Sequence, residues 1–104
     1  MTTWFVSRHR GAMEWARRQG LAIDQHCTHL DAGAVQPGDI VLGTLPVHLA
    51  AQVCAYGASF YNLSLDLPAA ARGRELSATD LEAFGARLEG YAVHSIQSKQ
   101  TDTP

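Results

Sequence analysis

The sequence predicts an α/β fold: a mostly parallel sheet flanked by helices, in one small domain. Three observations carry that reading. Short apolar β-type runs alternate with segments of helical period, the pattern of parallel strands joined by crossover helices. Glycine, proline or polar turn signals punctuate the runs. The resulting order is β-α-β-β-α-β-α-β, with no internal repeat and no second domain.

Taken in order, Trp4–Ser7 reads as a buried first strand. From Arg10 to Gln19 the period turns helical, with Ala12, Met13, Trp15 and Ala16 on the apolar side and Glu14, Arg17 and Arg18 on the wet one. Gly20 ends that helix. Leu21–Leu30 reads as a second strand or strand plus loop, with Ile23 pointing inward, and Pro37-Gly38-Asp39 closes the turn after it.

Ile40-Val41-Leu42 reads as a compact buried strand. Pro46 suits the first turn of a second helix, with Thr44 or Leu45 near the cap. His48–Ala55 is apolar on nearly every side, which predicts a heavily covered helix ended by Gly57. Ser59–Leu67 reads as a strand stopped by Pro68. Ser77 opens a third helix, with Asp80 completing a capping box. Leu81, Phe84, Leu88 and Tyr91 form the buried face of that helix, and Tyr91–Ile96 reads as a last strand. The domain is expected over 1–96, with Gln97–Pro104 a polar, frayed tail.

The chain has 104 residues, 46% of them hydrophobic, which gives one real core and excludes wholesale disorder. A formal net charge of −2 excludes a basic, bulk binder of long nucleic acid. An anionic ligand therefore needs a local cluster, and Arg8, Arg10, Arg72 and Arg74 are the candidates. Lys99 is the single lysine, so the cations are arginines, whose forked donors suit phosphate. Cys27 and Cys54 lie in different elements with neither metal nor redox spacing and read as buried free thiols. No signal peptide precedes the first strand and no apolar run is long enough to span a bilayer, so a cytoplasmic location is expected. There is no Walker loop and no G-x-G-x-x-G, and no cofactor is expected.

Three loops should leave the same edge of a parallel sheet, at the carboxyl ends of strands, where ligands of open α/β sheets sit. They are Ser7-Arg8-His9-Arg10-Gly11, Gly43-Thr44-Leu45-Pro46-Val47-His48 and Leu65-Asp66-Leu67-Pro68. The Arg72-Gly73-Arg74 turn follows the third and is placed to close over it. Helix N-termini fed by such loops favour anions, and hydroxyl, imidazole and guanidinium groups there suit a phosphate or phosphodiester.

Plainer readings exist for each residue. Ser7 serves equally as a helix cap, Arg8 and Arg10 as solvated cations, His48 as a hydrogen-bonded core histidine, and Asp66 as a turn cap or arginine partner. Trp4, Trp15 and Phe84 read as core. His26 and His29, three apart on a strand or loop, point to opposite faces if the strand is regular, which argues against a metal pair.

The strings Thr3-Trp4-Phe5-Val6-Ser7-Arg8-His9 with Gly11-Ala12, Gly43-Thr44-Leu45-Pro46-Val47-His48-Leu49-Ala50, Leu63-Ser64-Leu65-Asp66-Leu67-Pro68 and Arg72-Gly73-Arg74-Glu75-Leu76 occur in that order. Together they resemble the sixteenth family of the Csx series of CRISPR-associated accessory proteins, over about residues 3–93. Many relatives carry a proline after the Ser-Arg-His triplet, where Arg10 stands here. The resemblance implies a Rossmann-like, CARF-like fold, a place beside type III CRISPR systems, and ring-nuclease activity that destroys cyclic tetra-adenylate and switches antiviral signalling off.

Such a ring matches a symmetric homodimer. Its cleavage needs no metal, because the adjacent ribose 2′-OH can attack its own phosphorus. The chemistry then assigns Arg8 to phosphate charge and His9 or His48 to acid or base. Ser7, Thr44 and the helix-start N–H groups, within the loops that hold Gly11, Leu45 and Pro46, would grip phosphate. Arg10 adds a charge to the first loop, Asp66 stands in the third, and Arg72 and Arg74 complete the cage. The competing readings are a sponge that binds the ring without cutting it, and an interaction module with no nucleotide site.

Overall fold

The computed structural model describes residues 1–96; the tail expected to fray, 97–104, lies outside the described residues. The elements are β1 (Thr3–Val6), α1 (Arg10–Arg18), β2 (Gln25–Cys27), β3 (Ile40–Gly43), α2 (Val47–Ala55), β4 (Ser59–Ser64), α3 (Ala78–Ala83) and β5 (Arg87–Tyr91), with short 3-10 turns at Ala32–Ala34 and Ala69–Ala71. The five strands form one sheet in the order β2-β1-β3-β4-β5. β1 pairs in parallel with β2 and β3, and β3 with β4, while β5 runs antiparallel to β4. The fold is the α/β class that the alternation predicts.

Strand residues point to opposite faces in turn, and this period sorts the core into two layers. On one face Phe5, Leu42 and Leu63 pack with Ala12, Trp15 and Ala16 of α1 and Ala78 and Leu81 of α3. On the other, Val6, Val41 and Phe60 pack with Ala50 and Val53 of α2 and with Leu30 and Val35 of the connection into β3. Adjacent residues such as Phe5 and Val6, or Val41 and Leu42, thus serve opposite layers, and the central strands are apolar on both sides, as parallel strands covered twice must be.

The chain steps from β1 outward to β2 by way of α1, then back past β1 to β3, and on to β4 by way of α2. Right-handed crossovers in opposite directions place their helices on opposite faces. The loops leaving β1 and β3 therefore diverge, and a crevice opens between them at the carboxyl ends of these two neighbours.

The last third of the chain corrects the expected elements. α3 does not run on to Tyr91. The capping box at its start is formed, with Asp80 N–H donating to Ser77 Oγ (3.1 Å) and Ser77 N–H to Asp80 Oδ2 (3.0 Å). It stops at Ala83 because Gly85 adopts φ 71° and closes a Schellman pair, Ala86 N–H to Leu81 C=O and Gly85 N–H to Glu82 C=O. Leu88 then faces Leu63 of β4 across the strand pair, so the final strand is Arg87–Tyr91, not Tyr91–Ile96, and it runs antiparallel.

α2 is half covered, not enclosed: Ala50 and Val53 are buried, whereas Val47 is 74% exposed. Three of its nine residues are alanines, which present little apolar surface. β2 is three residues long; Leu21 and Ile23 pack against the core from outside it. Trp4 and Phe84 are partly buried, and neither cysteine is fully buried.

Asp39 ties the start of β1 to the start of β3. Its buried carboxylate accepts from the backbone N–H of Gln36 (2.9 Å) and Thr2 (2.9 Å) and from Trp4 Nε1 (3.1 Å). These donors, that of Gln36 foremost, hold its carboxyl below the usual carboxylate range.

Candidate functional site

The crevice between β1 and β3 holds a cleft of about 610 Å³. β1 delivers Ser7, Arg8 and His9 to it, and β3 delivers Thr44, Leu45 and Pro46. β2 adds Thr28 and His29, and Leu49 of α2 with Val6 and Leu30 supplies apolar wall. The size and the mixture, an apolar body with a few converging polar groups, are those of a small-molecule site.

Local rules shape the β1 loop. Ser7 is buried, and its Oγ accepts the backbone N–H of His9 at 3.1 Å, a tight serine turn that aims the next residues outward. Ser7 N–H donates to Cys27 C=O (3.0 Å), fastening this loop to the end of β2. Ser7 thus does not cap α1; His9 stands at that position, with no side-chain hydrogen bond to the helix. On the other side Thr44 N–H donates to Val6 C=O (3.1 Å). Gly43 adopts φ 122°, and a Cβ there would run into the Val6 carbonyl oxygen, so only glycine lets β3 leave the sheet this close to β1.

α1 and α2 both begin at the cleft. Among the described residues, neither has a side-chain cap bond or an acidic residue in its first turn. Their N-cap residues, His9 and Pro46, both line the cleft, so the positive ends of two helix dipoles lie beside it. Among the described residues, none that lines the cleft is a carboxylate. Arg8 supplies a full positive charge, and its Nη2 donates to His29 Nδ1 at 3.4 Å. Cation, helix ends and absent carboxylates all favour an anion with a planar or apolar part.

The structure brings together Ser7, Arg8, His9, Thr44, Leu45 and Pro46 as expected, and disperses the other predicted residues. Arg74 lies in an adjoining hollow of about 370 Å³, to which His9 also contributes, and sits 3.8 Å from Asp80. Arg10 and Gly11 border another hollow beside Leu76–Asp80. Gly11 is where α1 meets that segment backbone to backbone, since a Cβ there would strike the Leu76 carbonyl oxygen; its role is packing. Arg72 is exposed, and Asp66 is exposed and paired with Arg87 at 3.4 Å, its carboxylate answering a cation instead of facing the cleft.

His48 is no core histidine. It is exposed and lines a separate groove with Cys54 and residues 92–95, because the first turn of α2 carries it round to the β5 side. His29 and Thr28 are the residues that sequence reasoning missed. The signal was available: β2 is also parallel to β1, so its exit loop reaches the same edge. His26 turns instead toward Phe5, ring centroids 6.2 Å apart, so the two histidines make no metal pair. Among the described residues no group of three or more metal-binding side chains is assembled, and no helix is long and apolar enough to cross a membrane. Burial pushes the Cys27 thiol up, which disfavours a thiolate.

The fold and cleft define a small α/β protein with a cleft at the switch point of its sheet. Comparison with known families supplies the lineage: residues 4–94 match the family described as "Putative CRISPR-associated protein (Cas_VVA1548)". The chain belongs to this CRISPR-associated family. No curated protein and no solved structure matches it.

Proposed function

We propose that this protein is a ring nuclease of type III CRISPR defence, which binds cyclic tetra-adenylate in the β1–β3 cleft and cuts it without a metal. The observation that carries the reading is the convergence of Arg8, His9 and Thr44, with the helix-cap residues His9 and Pro46, on one cleft in whose lining no carboxylate occurs among the described residues. Membership of a CRISPR-associated family supports the biological setting. The resemblance to the sixteenth Csx family supports the ligand.

The apolar wall of Leu30, Leu45 and Leu49 suits an adenine or ribose face, while Arg8 and the positive ends of the two helices suit the phosphodiester. Attack by the ribose 2′-OH on the adjacent phosphorus gives a 2′,3′-cyclic phosphate and a free 5′-OH. Arg8 offsets charge on the phosphorane, and His9, at the head of α1, moves a proton. A cleft of about 610 Å³ takes only part of a four-nucleotide ring. A second copy of the chain, offering the same edge, covers the rest in a two-fold homodimer. The expected setting is the cytoplasm.

The test is chromatography of cyclic tetra- and hexa-adenylate after incubation with the protein in EDTA. Linear products from the four-membered ring are expected. An intact ring together with a ring-dependent rise in Tm would make the protein a sponge. An intact ring and an unmoved Tm would leave it an interaction module.

A further inference from the structure

We infer that His29, at the exit of β2, is the general base of this cleft, an assignment that deepens the nuclease reading and rests on it. Cleaving a phosphodiester through its own 2′-OH needs two proton movers, one to take the hydroxyl proton and one to protonate the leaving 5′-oxygen. His48 belongs to another groove. The cleft holds two imidazoles, His9 and His29, delivered by the adjacent parallel strands β1 and β2.

Their settings differ. His29 Nδ1 receives a hydrogen bond from Arg8 Nη2, and a guanidinium has donors only. Such a contact asks for a lone pair at Nδ1 turned toward Arg8, the form in which an imidazole can take up a proton. A neutral imidazole is a base. Arg8 holds that lone pair at 3.4 Å, a long contact. Charge-assisted bonds from arginine to phosphate are shorter, about 2.7–2.9 Å, and roughly twice as strong as neutral ones. An incoming phosphodiester therefore draws Arg8 to its non-bridging oxygens and frees Nδ1 beside the sugar. The same event engages the substrate's clamp and uncovers the base. His9 has no side-chain hydrogen bond to α1, and its ring is free to act as the acid.

The step balances without a co-reactant. The 2′-OH proton passes to His29 Nδ1 as the O2′–P bond forms. The P–O5′ bond breaks, and the 5′-oxygen takes its proton from the His9 imidazolium. The products are the 2′,3′-cyclic phosphate and the 5′-hydroxyl, and solvent exchange returns both rings to their starting forms.

The experiment compares wild type, His29→Gln, His29→Ala and His9→Ala in single-turnover cleavage of cyclic tetra-adenylate in EDTA. A second ring carries sulfur in place of a bridging 5′-oxygen. His29 is exposed, so these variants keep the fold, which circular dichroism checks. His29→Gln is expected to cut about 10²- to 10⁴-fold more slowly while still binding the ring. Added imidazole should restore part of the rate to His29→Ala. Sulfur leaves without a proton, so the sulfur ring should rescue His9→Ala and leave His29→Gln slow. Wild type that cuts while His29→Gln cuts equally fast, or a His29→Gln rescued by sulfur, overturns the assignment alone. A wild type that leaves both rings intact overturns the nuclease reading as well.

Discussion

Gly43 faces Val6 across the β1–β3 pairing so closely that a Cβ would meet the Val6 carbonyl oxygen, the same oxygen that accepts the N–H of Thr44. The close approach of β3 to β1 beside the cleft thus depends on the absence of a side chain. Gly43→Ala adds a clash to a φ of 122° that alanine resists. The backbone strain alone is worth about 1–3 kcal/mol, and each kcal/mol lowers Tm by roughly 4–8 °C in a domain of this size. Thermal denaturation should show a fall of several degrees, together with loss of ring binding. A variant with unchanged Tm would mean that β3 leaves the sheet by another path.

Asp39 gives the protein an acid-sensitive joint. Its folded carboxyl is held low by Gln36, Thr2 and Trp4, so its contribution to stability is complete above the ordinary carboxylate value of about pH 4 and disappears as pH falls through the depressed folded value. Asp39→Asn should be less stable than wild type at pH 7, and the difference should shrink toward pH 2. Urea midpoints at the two pH values check this; parallel losses would remove Asp39 as the source. Asp80, held low by Ser77, keeps a share of the acid dependence in the variant.

Among the described residues, Arg8 is the arginine that lines the cleft. Hydrogen bonds to charged groups are worth about 1.5–3 kcal/mol, so Arg8→Ala should weaken cyclic tetra-adenylate binding by roughly ten- to a hundredfold. Arg8→Lys keeps the charge and loses the fork, and should fall between. Calorimetric titration reads both. Arg72→Ala, a change outside the cleft, is the control and should bind normally.

His9 and His48 separate by position. His9→Ala should lower single-turnover cleavage by about 10²- to 10⁴-fold with binding retained. His48→Ala should cut at close to the wild-type rate, since its ring lines the groove beside residues 92–95. Equal losses in the two variants would return His48 to the chemistry.

What the chain discloses on reading is what short-range physics decides. The Ser77–Asp80 box, the helix-ending glycines and the polar turns after β1 and β3 are each set within a few residues, and each stands where expected. β5 was hidden because Leu81, Phe84, Leu88 and Tyr91 fit a helical period; what overrules it is Gly85 and the distant partner Leu63. His29 was hidden for a related reason. Its place depends on β2 lying next to β1, and strand order is a property of the assembled sheet. Asp66 was misplaced because its partner, Arg87, belongs to the strand that the helical period concealed.

One imidazole borders two chambers: His9 belongs both to the large cleft and to the smaller hollow that holds Arg74. A change at His9 therefore alters the wall of both chambers at once, and a variant there reports on the two together.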